Sequence, residues 1–166
     1  WNVWDTEVLR YFNHLSVGVL HGSREKRIKV LAEKHDIYVI NHDGVATVLP
    51  QLLARTDIDC IVCDELGFLR TPNTDRWKAH RALFAGRQYV WGLTGSPVPN
   101  EPSDAWAQCQ LLTPHTVPQH FTAFKRQTMR QVSQFKWIAR EDALDIVHAA
   151  MQPAVRFKRD DCAEIP

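Results

Sequence analysis

Two acidic residues, Asp64 and Glu65, stand where the apolar run CIVC ends. At a strand end, one carboxylate can hold Mg²⁺ through its water shell while its neighbour orients and deprotonates an attacking water, the division of labour that nucleotide hydrolysis requires. Asp64 suits the metal role and Glu65 the base. The same pair could equally cap the next segment at the surface, and short acidic pairs do not by themselves separate the two. Roughly thirty residues on, QYVWGLTGSP ends in the triplet Thr94, Gly95 and Ser96. Two hydroxyls there could bridge the acidic pair and a nucleic-acid-facing loop, with Gly95 allowing close backbone approach; a simple turn is the plainer alternative.

Other constellations carry less. Cys60 and Cys63 spell C-x-x-C, but an odd separation on a strand points the side chains to opposite faces, so two core cysteines are expected rather than a metal or redox pair. The eight histidines are scattered, with no H-E-x-x-H and no second cysteine pair to complete a zinc site. Ser96 lies in no G-x-S-x-G elbow. Trp91 and Trp106 are expected in the core. A metal-dependent nuclease built on Asp64 and Glu65 would need further carboxylate and lysine positions nearby. Arg76, Lys78 and Arg81 follow the acidic pair and could meet phosphate, although a solvated basic helix face explains them as well.

The elements that would position these groups alternate. Trp4, Val8, Tyr11, Phe12 and Leu15 repeat at helical steps, predicting a helix over 4–14. VGVLHG is a short strand stopped by Gly22, after which Ser23 caps a charged helix whose Ile28, Leu31 and Ala32 share a face. DIYVIN is a second strand, and Asp43 opens a helix through Val45, Val48, Leu49 and Leu52. IDCIVCDE and QYVWGLTGS are the third and fourth strands, apolar enough to suggest burial on both faces in a parallel sheet. Between them Pro72 suits a helix start and Gly86 a helix stop. Beyond Pro97, turn-rich PVPNEPS leads into three helical segments, SDAWAQCQLLTP, HFTAFKRQTMRQV and REDALDIVHAAMQ, with a possible last strand at 154–161. The order predicts an α/β fold: a three-layer parallel sheet with helices on both faces.

Bulk properties fit. The chain has 166 residues, 45% hydrophobic and 23% charged, with 20 basic against 19 acidic residues, so nucleic-acid binding would have to rest on local patches. No apolar run approaches the ~20 residues of a membrane span. Four irregularly spaced cysteines suggest reduced thiols and the cytoplasm. The start WNVWDTEVLRYF has no initiator Met, basic n-region or h-region and suggests an internal fragment.

Taken with their order and spacing, IDCIVCDELGFLRTPNTDRWKAHRAL and YVWGLTGSPVPNEPSDAWAQCQLLTP resemble the Swi/Snf-like helicases of superfamily two found in phages and prokaryotes. DEL stands where that family has its DExx box, and LTGSPVPN where it has motif III. DIYVINHDGV resembles the segment around motif Ib. The resemblance implies part of a first RecA-like domain over 1–166, with Asp64 as Mg²⁺ ligand, Glu65 as catalytic base, and Thr94, Gly95 and Ser96 coupling ATP hydrolysis to movement on duplex DNA. Asn41, His42 and Asp43 would lie in a loop near the tracked strand. ATP and Mg²⁺ are the implied cofactors, and a second RecA-like domain the implied partner. The chain departs from the family in having no G-x-x-x-x-G-K-[ST] loop to cradle a triphosphate. The phosphate loop is therefore expected upstream, and this chain alone is expected to be inactive, with unpaired strand edges and exposed apolar surface. The competing expectation is a non-catalytic nucleic-acid-binding or scaffold module with a degenerate RecA-like fold.

Overall fold

The computed structural model describes residues 2–157. These form two compact units: one of residues 2–63 and 71–91, the other of 64–70 and 92–157.

The first unit alternates helix and strand as the sequence suggests. Helix α1 (Asn2–Tyr11) precedes strand β1 (Val17–Leu20), helix α2 (Arg24–Ala32) and strand β2 (Ile37–Ile40). β1 and β2 pair in parallel, Val17 opposite Ile37 and Leu20 opposite Ile40, with α2 as the crossover that parallel pairing demands. Ser23 caps α2 through a bond from the Lys26 amide, satisfying one of the orphan donors of the first turn. The expected helix from Asp43 is two short helices, α3 (His42–Thr47) and α4 (Leu49–Ala54). Pro50 explains the break, because a proline inside a helix lacks an amide and collides with the turn before it, whereas the first turn of a new helix accommodates it.

Strand β3 (Cys60–Cys63) pairs with β4 (Tyr89–Gly92), and α5 (Asp75–Phe84) lies between them in sequence. Thr74, not Pro72, starts α5: its hydroxyl accepts from the Trp77 amide. Gly86 follows the helix end with φ +78°, a left-handed geometry that glycine adopts without penalty. The β3 and β4 strands are not buried on both faces. Val62, Tyr89 and Trp91 are exposed, Trp91 at 60%, which overturns the expectation of a core tryptophan there. Cys60 is exposed as well, while Cys63 is buried. The core of this unit holds Leu20, Leu31, Val45, Val48, Leu52, Trp77, Leu83 and Phe84.

The second unit contains a 3₁₀ turn at Leu66–Leu69, helices α6 (Ala105–Leu112), α7 (Phe121–Thr128) and α8 (Ala143–Ala150), and a hairpin of β5 (Met129–Gln131) with β6 (Trp137–Ala139). The segment expected to be one helix to Val132 is thus α7 followed by a strand. Residues 154–157 form no regular element, and 158–161 lie outside the described residues. Phe124, Leu66, Leu69 and Trp106 are buried, and the Trp106 indole donates to the Pro118 carbonyl at 2.8 Å, so this tryptophan does pack as expected with its polar edge satisfied. Among the described residues the strands make three two-stranded sheets, and the chain is α/β. No helix among those residues is long and apolar enough to cross a membrane.

Candidate active site

The acidic pair and the hydroxyl triplet meet in the second unit. The Asp64 carboxylate accepts from the Glu65 amide at 2.9 Å, and the Leu66 amide donates to the Leu93 carbonyl at 2.7 Å, tying the DEL segment to the chain that leads into Thr94. Leu66, only 2% exposed, anchors the segment to the core, while Asp64 and Glu65 themselves face solvent. Glu65 has φ 50° and ψ 57°. That left-handed conformation costs an ordinary residue ~1–2 kcal/mol, and such strain collects where a side chain must be aimed.

Gly67 shows what surrounds the carboxylate. A Cβ built on it would lie 3.3 Å from Glu65 Oε1, 3.6 Å from Thr94 Oγ1 and 3.9 Å from the Ser96 carbonyl. The Glu65 carboxylate and the Thr94 hydroxyl therefore border one point, over a residue with no side chain. Thr94 Oγ1 accepts from the Ser96 amide at 3.3 Å, folding the triplet back on itself, and Gly95 has open space around it. Just beyond, buried Gln108 on α6 donates to the Pro97 carbonyl at 2.6 Å and fixes the following turn. Nothing in the local sequence pattern marks Gln108 for that task, since a glutamine in an apolar helix shows its partner only after folding.

Asn41, His42 and Asp43 lie in the first unit, at the β2–α3 junction. Each is engaged within the protein. Asn41 Oδ1 accepts from Arg27 Nη1 at 3.1 Å; Asp43 pairs with Arg76 at 2.7 Å; His42 Nδ1 lies 3.3 Å from His80 Nε2. Arg27 is 9% exposed and also donates to the Leu20 and Gly22 carbonyls, so its guanidinium holds the ends of β1 and β2 together. Of the basic residues on α5, Arg76 is committed to Asp43, and Arg81 lies over the Trp77 ring at 5.4 Å to the centroid. Burial pushes the His80 imidazole below its usual range.

Sequence spacing gave no hint that His42, Cys63 and His80 converge: their ligand atoms all lie within 4.8 Å of one another. The residues come from α3, β3 and α5, and only the tertiary fold joins them.

An SNF2-related domain model matches residues 1–157. The Sulfolobus solfataricus SWI2/SNF2 ATPase core, solved in complex with dsDNA, superposes with a TM-score of 0.56 at 28% identity, covering 74% of this chain and 25% of that one. The DNA endonuclease I-HmuI of Bacillus phage SP01 is 29% identical over 92 residues, 55% of this chain and 49% of that protein. The chain thus spans about half the length of its curated relative and a quarter of the solved ATPase core. Having the DEL and LTGS segments side by side and a family match along its whole described length, the chain belongs to the SNF2-related domain family.

Proposed function

We propose that this chain supplies the metal-holding and water-activating carboxylates of an ATP-dependent DNA translocase or helicase of the Swi/Snf-like type. The observation that carries the proposal is the shared border of Glu65 Oε1 and Thr94 Oγ1 over Gly67. A carboxylate and a hydroxyl from two separate segments thereby flank one glycine.

Asp64 and Glu65 offer exposed carboxylate oxygens, the hard ligands that Mg²⁺ takes directly or through water, so the residues fit the metal. They do not fit a triphosphate, because no Gly-Lys loop exists in the chain. In the parent we propose, that loop comes from a segment outside this chain, and its strand would join the β1–β2 and β3–β4 pairs into one three-layer RecA-like sheet. Mg²⁺, when bound, neutralises charge on a transferring phosphoryl group. Asp64 would hold the ion. Glu65 would orient the attacking water and accept its proton, its carboxylate aimed by the left-handed backbone. Thr94, Gly95 and Ser96 would report the state of the carboxylates to the rest of the motor, since Glu65 and Thr94 flank the same glycine.

Duplex DNA is the proposed substrate, by analogy with the solved relative bound to dsDNA. A second RecA-like domain would complete the cleft, and the cytoplasm of a prokaryote or phage-infected host is the proposed setting. The Asn41–His42–Asp43 junction would meet DNA through Asn41 and Asp43, which stay exposed although bonded to Arg27 and Arg76.

The intact parent, assayed with and without duplex DNA, tests the proposal: DNA-stimulated ATP turnover is expected, and its absence from a folded, full-length parent would refute it. The competing reading is a non-catalytic scaffold with a degenerate RecA-like fold. A start codon immediately before Trp1 would select the scaffold, and a Gly-Lys-Ser/Thr loop upstream would select the motor.

A further inference from the structure

We infer that His42, Cys63 and His80 form a binding site for a divalent cation of the zinc class. The three residues enter from separate elements of the first unit: His42 opens α3, Cys63 is the last residue of β3, and His80 lies on α5. Two imidazoles and a thiol make a nitrogen and sulfur donor set, the chemistry of zinc and its neighbours and not of Mg²⁺ or Ca²⁺. The site is therefore chemically distinct from the oxygen donors of Asp64 and Glu65, although Cys63 precedes Asp64 directly.

The geometry supports the inference in three ways. First, all three ligand atoms fall within 4.8 Å of one another, and His42 Nδ1 to His80 Nε2 is 3.3 Å. Two nitrogens bound to zinc at about 2.05 Å with a tetrahedral angle would stand about 3.3 Å apart. A thiolate at about 2.3 Å would stand about 3.6 Å from each nitrogen, within the reach of a small side-chain adjustment. Second, His80 Nδ1 lies 2.8 Å from the Arg76 carbonyl oxygen. A carbonyl only accepts, so Nδ1 carries the proton and Nε2 turns its lone pair toward His42. Metal-bound histidines are commonly oriented by such a bond on the far nitrogen. Third, burial is graded. Cys63 is 5% and His80 4% exposed, while His42 is half-buried, which makes His42 the side from which an ion would enter.

Binding would form one metal–sulfur and two metal–nitrogen bonds and release the Cys63 thiol proton to solvent, with no change of oxidation state. Its consequence would be to pin α3, β3 and α5 together at the strand end that leads into the acidic pair, since metal affinity for the folded form adds to folding stability.

The test uses the tag-free chain, dialysed against chelator and titrated with Co²⁺, then Zn²⁺. One Co²⁺ per chain is expected, with visible bands of a four-coordinate ion and a thiolate-to-cobalt charge-transfer absorption, all displaced by Zn²⁺. Cys63→Ser should remove the charge-transfer absorption, and His42→Gln, at the half-buried ligand, should weaken binding at least about tenfold. Circular dichroism checks that the variants fold; if Cys63→Ser does not, the wild-type stoichiometry and His42→Gln decide. Failure of the wild-type chain to bind Co²⁺ at micromolar concentration would overturn the inference, leaving His42 and His80 as a simple hydrogen-bonded pair. Persistence of the charge-transfer absorption in Cys63→Ser would overturn it too, by placing the ion on another thiol.

Discussion

Replacing Arg27 by Met probes the clamp that sets the strand ends of the first unit. The guanidinium is 9% exposed and donates to the Leu20 carbonyl at 2.7 Å, the Gly22 carbonyl at 3.0 Å and Asn41 Oδ1 at 3.1 Å. Met fills similar volume but donates nothing. The Leu20 bond is buried, and a buried carbonyl left without a donor costs ~1–3 kcal/mol. The other two acceptors are part-buried and reach water more easily, so each adds about 0.5–1 kcal/mol. Removing the charge recovers part of the desolvation cost of the buried guanidinium, and the net loss comes to about 3 kcal/mol. For a chain of this length that corresponds to a fall in Tm of roughly 6–12 °C. Arg27→Lys keeps one charged donor but not the fork, and should lose about 1–2 kcal/mol. Urea unfolding followed by circular dichroism measures both. If Arg27→Met lies within about 0.5 kcal/mol of wild type, an ordinary surface effect, the clamp is not what holds these strand ends.

A Cβ at Gly44 would lie 2.2 Å from Arg27 Nη1 and 2.4 Å from Asn41 Oδ1, so Gly44→Ala should destabilise by ~1–3 kcal/mol from overpacking, although helix propensity alone favours Ala; the double variant with Arg27→Met should be less than additive in urea unfolding. Arg55 holds the Asp57 carboxyl down to about 2 by direct hydrogen bonding. Because this folded value is depressed, the pair's contribution is complete above the unfolded carboxylate range and fades as pH falls toward 2; NMR titration should show the low midpoint, and Arg55→Gln should return it to about 4. The chain alone should show no ATP turnover above buffer, with or without duplex DNA, in a phosphate-release assay.

Much of the first unit was legible because its signals are local. The strands VGVL, IYVI, CIVC and YVWG stand where short apolar or β-branched runs placed them, and Ser23 and Gly86 punctuate helices as their chemistry requires. Misreadings arose where one residue overrode a pattern. Pro50 split a helix that the spacing of Val45, Val48, Leu49 and Leu52 made continuous. Thr74, with a hydroxyl able to accept from Trp77, displaced Pro72 as the start of α5. In the second unit Met129 is 3% exposed, and burying it favoured pairing with Trp137–Ala139 over another helical turn, a nonlocal choice that no window reveals. Burial of β3 and β4 was misjudged for a related reason: an apolar strand predicts a cover, but what supplies it is not encoded in the strand.

The candidate site was half legible. Asp64, Glu65 and the Thr94–Ser96 triplet could be picked out at strand ends, yet each had a bland alternative as cap or turn. Their approach over Gly67 and the left-handed backbone of Glu65 are properties of the fold. Arg27 stands in a charged helix with nothing local to single it out, yet it is buried against carbonyls. His42 and His80 were two of eight scattered histidines until α3 and α5 brought them together.

Turnover by the intact parent carrying Glu65→Gln is the most direct test of the central claim. Gln keeps the size and the left-handed backbone but cannot take a proton. ATP binding, followed by equilibrium binding of a fluorescent nucleotide, should be retained, while DNA-stimulated ATP hydrolysis should fall by at least ~100-fold, the scale of a lost general base. Unchanged hydrolysis in a variant that binds ATP normally would contradict the assignment of Glu65 and, with it, the role proposed for the carboxylate pair.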